Sequence, residues 1–173
     1  MKNSSSLILT THVGSLVRPP ALIETMRAKE NGQPYNEQGL ATQVKNSVAE
    51  VVRQQVKAGI DVISDGEYGE YGKPNFAGYA NDRLTGFERR PRNPDENPIL
   101  NWGRDRKAFL DFYEGYEQAS RSSQSDPVVC TGPITYVGQA AGAADTSNFR
   151  AALNGVRVEE TFIPAVSPGT IEG

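Results

Sequence analysis

The sequence predicts an α/β fold of about four parallel strands with intervening helices, the N-terminal half of a (β/α)8 barrel. Three observations carry this. Short apolar runs alternate with longer helical segments, as in layered α/β architectures. Each crossover between the expected strands is long enough for parallel pairing. The chain has 173 residues, whereas a complete barrel of this type needs roughly 250.

The first strand is expected over 7–13, a run of Leu, Ile and Thr that ends at Gly14-Ser15. Pro19-Pro20 breaks the chain, and a short helix follows over about 21–29, ended by a turn at Gly32 and Pro34. The clearest helix spans 36–58. Leu40, Val44, Val48, Val51, Val52 and Val56 form one apolar stripe at helical period. Asn36 suits an N-cap, and Gly59 stands where a left-handed C-cap belongs. A buried strand over 60–65 follows at once and turns polar through Ser64-Asp65-Gly66-Glu67.

The next stretch, 68–101, carries apolar anchors but no period. Residues 88–98 hold three prolines and six charged side chains, which predicts an exposed loop, and long excursions of this kind often serve as lids or binding loops. A second long helix is expected over about 104–120, a third strand over 127–131, a short helix over 145–153, and a fourth strand over 161–166. The whole of 1–173 reads as one incomplete barrel domain, with 88–98 a loop within it.

Composition narrows the function. Eighteen basic residues face 21 acidic ones, for a net charge of −3. That balance offers no general attraction to nucleic acid or to an anionic membrane. No apolar run approaches the ~18 residues of a membrane span. Leu7-Ile8-Leu9 is too short for a secretory core, so the expected address is cytoplasmic. One cysteine excludes an intramolecular disulfide. One histidine and one cysteine exclude a complete Cys/His structural zinc site. Cys130, inside an apolar strand, reads as a core cysteine.

In parallel α/β proteins functional groups gather at the C-terminal ends of the strands. Four polar clusters are expected there: 11–15, 64–67, 131–135 and 167–169. Asp65 and Glu67 would alternate in strand register and point to one side. A carboxylate at a strand end suits an amine or other basic group; pairing with an arginine or capping a helix fits Glu67 equally well. His12 is either a hydrogen-bond donor at the mouth of the first strand or a structural histidine. Gly14-Ser15 can present backbone N–H groups to a carboxylate. Arg18 can meet an anion or form a surface ion pair. Trp102, Tyr68, Tyr71 and Tyr79 either line a cleft or pack beneath the long loop.

Three segments together resemble the cobalamin-independent methionine synthase family. They are Thr10-Thr11-His12-Val13-Gly14-Ser15-Leu16 with Arg18-Pro19, then Ala58 to Glu67 with its Asp65-Gly66-Glu67 end, then Thr131-Gly132-Pro133-Ile134-Thr135. The resemblance is nearest to the short single-barrel relatives labelled methyltetrahydropteroyltriglutamate–homocysteine methyltransferase-like. Epoxyalkane–coenzyme M transferases share the same ground plan.

The resemblance implies a TIM barrel in which zinc holds a substrate thiol as thiolate for attack on an alkyl carbon. Coordination matters because a free thiol has a pKa of about 8.5 and a bound one is deprotonated. In the methionine synthases the thiol is homocysteine and the methyl comes from a folate. The resemblance places Gly14, Ser15 and Glu67 at the amino-acid end of the thiol, with His12, Asp65 and Arg18 as neighbouring substrate-binding candidates. The family's zinc ligands, a His-x-Cys pair followed by acidic and cysteine ligands, match no position here, so zinc is expected in the full-length barrel with its ligands outside this chain. Self-association or a complementary C-terminal half is the expected partner. An epoxide–coenzyme M type transferase and a truncated, non-catalytic half-barrel are the alternatives.

Overall fold

The computed structural model describes residues 5–68, 83–91, 103–120 and 128–165. Its elements are α1 (Pro20–Glu30), α2 (Glu37–Lys57), β1 (Val62–Ser64), β2 (Phe87–Arg89), α3 (Gly103–Ala108), α4 (Leu110–Ser120), β3 (Val128–Cys130), α5 (Gln139–Ala152) and β4 (Glu160–Phe162). They fall into two units, one made of 1–85 with 135–173 and the other of 86–134. The fold is mixed α/β with parallel strands, and no closed barrel forms among the described residues.

In the first unit α1 and α2 begin where their local chemistry dictates. Pro20 opens α1, where its missing N–H costs nothing, and the Pro19 carbonyl accepts from the N–H groups of Leu22 and Ile23. Asn36 caps α2: its side-chain oxygen accepts from the Gly39 N–H at 2.9 Å. The same helix stops at Ala58, and Gly59 takes the left-handed φ of 77° that ends it. Helix α5 begins at Gln139 rather than near Asp145 and buries Asp145 and Phe149.

Leu22 and Met26 of α1, Leu40, Val44, Val48, Val51 and Val52 of α2, Ile63 of β1, Tyr68 and Phe149 form the core. The expected stripe on α2 holds for its first five members, but Val56 is 38% exposed. Gln55 occupies the buried position instead. Seven residues beyond Val48, Gln55 lies within ~20° of it around the helix, whereas Val56 has rotated toward solvent.

β1 pairs with β4 in parallel, with Val62 opposite Glu160 and Ser64 opposite Phe162. The expected strand over 7–13 is reduced to a single parallel bridge between Thr11 and Val62, flanked by a Val62 N–H bond to the Thr10 carbonyl at 3.0 Å. The spatial order is therefore the N-terminal segment, β1, β4. Adjacency in chain order is corrected, because the expected third strand takes no place between β1 and β4.

That strand, β3, belongs to the second unit and pairs with β2 antiparallel, Phe87 opposite Cys130 and Arg89 opposite Val128. A strand inside a parallel sheet is covered on both faces. Here Glu88, Arg89 and Cys130 are exposed and Val128 and Val129 only partly covered, which suits a solvent-facing antiparallel pair. Cys130 is thus an exposed thiol, not a core cysteine; its S–H points to the Gly132 carbonyl at 3.4 Å. Gly86, at φ 87°, passes so close to the carbonyls of Gly132 and Pro133 that a Cβ would sit 2.6–2.7 Å from them. The helix expected over 104–120 is two helices, α3 and α4, divided at Phe109. Of the segment 88–98, Glu88 and Arg89 stand in β2, and Arg90 and Pro91 are exposed. Residues 92–98, and with them the rest of that loop, lie outside the described residues, as do Trp102, Tyr71 and Tyr79.

Candidate functional site

Parallel pairing brings the C-terminal ends of the N-terminal segment and of β1 to one rim. Residues 12–18 leave the first and residues 65–68 leave the second. Of the four expected clusters, 11–15 and 64–67 stand at this rim. Thr131 to Thr135 follow the antiparallel β3, with the Thr131 N–H bonded to the Gly86 carbonyl at 2.8 Å. Residues 167–169 lie outside the described residues.

Asp65 and Glu67 do not continue the strand register to one side. β1 ends at Ser64, and the next residues form a tight turn. Gly66 takes φ 71° and Glu67 φ 60°. Glu67 is the non-glycine residue with positive φ among those described, a conformation that costs an L-residue roughly 1–2 kcal/mol. The turn closes on itself. The Gly66 N–H donates to Ser64 Oγ, the Glu67 N–H to Asp65 Oδ1, both at 3.1 Å, and the Tyr68 N–H to the Asp65 carbonyl at 3.3 Å. Asp65 thus shapes the turn as an Asx motif. Asp65 and Glu67 are both buried.

Residues 15–18 are stitched to this turn by four hydrogen bonds. The Ser15 hydroxyl donates to the Glu67 carboxylate. The Leu16 N–H donates to the Gly66 carbonyl at 3.1 Å. The Tyr68 hydroxyl donates to the Val17 carbonyl. The Arg18 guanidinium donates through Nη2 to the Glu67 carbonyl. Burial pushes the Tyr68 phenol above its usual range, and the Arg18 charge opposes that. The guanidinium carbon lies 6.0 Å from the Tyr68 ring centre.

Gly14 precedes this seam with φ 98° and open space where a Cβ would stand. Ser15 beside it is exposed. Two buried nitrogens at the rim, His12 Nε2 and Arg18 Nε, have no hydrogen-bond partner among the described residues.

Behind the rim, an amide clamp holds the end of β1. Gln55 Oε1 accepts from the Ser64 N–H at 3.0 Å, and Gln55 Nε2 donates to the Ser64 carbonyl at 2.7 Å. The side-chain amide takes the place of a neighbouring strand. Sequence reading passed over Gln55, although a glutamine seven residues beyond a buried valine is a visible signal. At the opposite end of the strands, Asp61 Oδ2 accepts from both the N–H and the hydroxyl of Thr10, each at 2.8 Å. Those bonds, the backbone one first, hold the Asp61 carboxyl below its ordinary 3.8. A cavity of about 300 Å³ lies at this end, lined by Gly59, Asp61 and Glu159 among others; in barrels that face carries stability rather than catalysis.

Arg83 and Asp145 make a buried ion pair. Gly138 lets the Arg83 side chain pass, since a Cβ there would fall 2.6–2.8 Å from its methylenes. No group of three His, Cys, Asp or Glu side chains able to hold a metal occurs among the described residues. The described residues therefore do not supply the zinc ligand set that the resemblance implies. No described helix is long and apolar enough to cross a membrane.

No family model matches the chain. A methionine synthase of Sulfolobus acidocaldarius is 34% identical to it over 88 residues, which is 51% of this chain and 25% of the archaeal protein. The match thus spans about a quarter of that relative's length. It supports a methionine synthase-like relationship for this chain.

Proposed function

We propose that this chain supplies the substrate-recognition half of a (β/α)8 barrel that transfers a methyl or related alkyl group to an amino-acid thiol such as homocysteine. The observation that carries the reading is Glu67, buried at the rim of the parallel strands and bonded to the exposed Ser15 of a neighbouring segment. A carboxylate that accepts one hydroxyl bond keeps lone pairs for an ammonium group. The open Gly14-Ser15 turn leaves backbone room beside it for the substrate's carboxylate. The two ends of an α-amino acid thus meet complementary groups on two hydrogen-bonded segments. The methionine synthase-like stretch favours methyl transfer over other chemistries on this fold. Thiol activation, by zinc in this reading, and the folate methyl donor belong to parts of the barrel other than the described residues. The half-barrel itself is part of this proposal: the N-terminal segment, β1 and β4 stand as its first parallel strands.

The test is Glu67→Gln in the full-length protein, with homocysteine binding followed by calorimetry. Loss of a charge-assisted bond to the ammonium is expected to cost on the order of 1.5–3 kcal/mol, a weakening of roughly 10- to 150-fold. Unchanged affinity would remove Glu67 from the site. Preference for 2-mercaptoethanesulfonate over homocysteine would replace this reading with the coenzyme M type.

A further inference from the structure

We infer that Arg18 is a positioning residue: its guanidinium locks the left-handed turn that aims the Glu67 carboxylate, and it acts on substrate through Glu67. The inference rests on the reading of Glu67 as the ammonium acceptor.

Arg18 is about nine-tenths buried, an expensive place for a charge with no carboxylate partner among the described residues. Its guanidinium donates to the main-chain carbonyl of Glu67, not to the carboxylate. That carbonyl follows the one positive-φ non-glycine residue among those described. Without a donor it would be an unsatisfied buried acceptor, and the turn would lose its reason to keep Glu67 at φ 60°. Tyr68 completes the lock. Its ring lies beside the guanidinium and its hydroxyl bonds the carbonyl of Val17, the residue before Arg18. Arg18 and Tyr68 thus cross-link the two segments in both directions, while Ser15 bonds the carboxylate itself. A planar, always-charged fork can bond a carbonyl and stack on a ring at once, which a lysine ammonium does less well.

A double-mutant cycle in the full-length protein tests this, using homocysteine as the probe in Arg18→Met, Arg18→Lys, Glu67→Ala and the Arg18→Met/Glu67→Ala pair. Arg18→Met is expected to weaken homocysteine binding roughly tenfold with Glu67 present, and by less than about twofold in the Glu67→Ala background. Arg18→Lys, which keeps charge and one reachable donor, is expected to recover part of the loss and guards against a folding failure. Amide hydrogen exchange at 66–68 is expected to quicken in both Arg18 variants while α2 keeps its protection. Equal affinity losses in both backgrounds, or unchanged exchange at 66–68, would overturn the inference. If Glu67→Ala alone leaves homocysteine binding intact, the ammonium reading is what fails; the exchange measurement then judges the lock separately.

Discussion

Gly66 is the residue on which the candidate site turns. It holds φ 71°, and a Cβ there would meet both methyls of Val51 at 3.1 Å. Gly66→Ala is expected to destabilise the fold by roughly 1–3 kcal/mol, from left-handed strain and crowding against a buried helix face. Urea denaturation checks this, and a midpoint equal to wild type would show that the turn relaxes freely. The Asp65-Gly66-Glu67 triplet was legible in the sequence as a site. Its geometry was not, because alternation along a strand presumes that the strand continues. β1 stops at Ser64, and only the turn bonds of Ser64 and Asp65 decide where Glu67 points.

Between α2 and β1, the Gln55 amide substitutes for a strand partner at Ser64. Gln55→Met keeps the shape and removes both bonds. It is expected to cost roughly 1–3 kcal/mol for each buried backbone group left unsatisfied and to speed exchange of the Ser64 amide. Full protection of that amide in the variant would refute the clamp. The pairing of the N-terminal segment with β1 carries a pH dependence of its own. Asp61 is held below its ordinary value by Thr10, so its contribution is present above the unfolded carboxyl's titration near 3.8 and fades as pH falls through the lowered folded value. Amide exchange at Val62, whose N–H bonds the Thr10 carbonyl, is expected to rise at acid pH in the wild type. In Asp61→Asn that rise should be missing; an identical acid response in both would clear Asp61 of the role.

Across the whole chain, apolar side chains remain uncovered along the N-terminal segment. Ile8 and Val13 are each 84% exposed and Val17 is 91% exposed. Exposed strand edges and apolar patches seek partners. We expect the 173-residue chain, produced alone, to self-associate or to bind a complementary barrel half at micromolar concentration. Sedimentation measurements decide this, and a well-folded monomer at those concentrations would count against the half-barrel proposal.

Elements whose cause is local were legible in the order of residues. Helix α2, with Asn36 at its start and Gly59 just past its end, follows from a 3.6-residue apolar period and two capping residues. The parallel companionship of the N-terminal segment and β1 follows from the long helical crossover between them. Features that depend on distant residues took shape only when the chain folded. Whether Val128–Cys130 joined the parallel strands turned on a charged partner more than 38 residues away in the chain, Phe87–Arg89, that no local pattern marked as a strand. Whether Arg18 met an anion or a carbonyl turned on the left-handed turn at Glu67. Short strands of three residues carry too little pattern to declare their partners, because pairing energy is shared across the interface and belongs to neither strand alone.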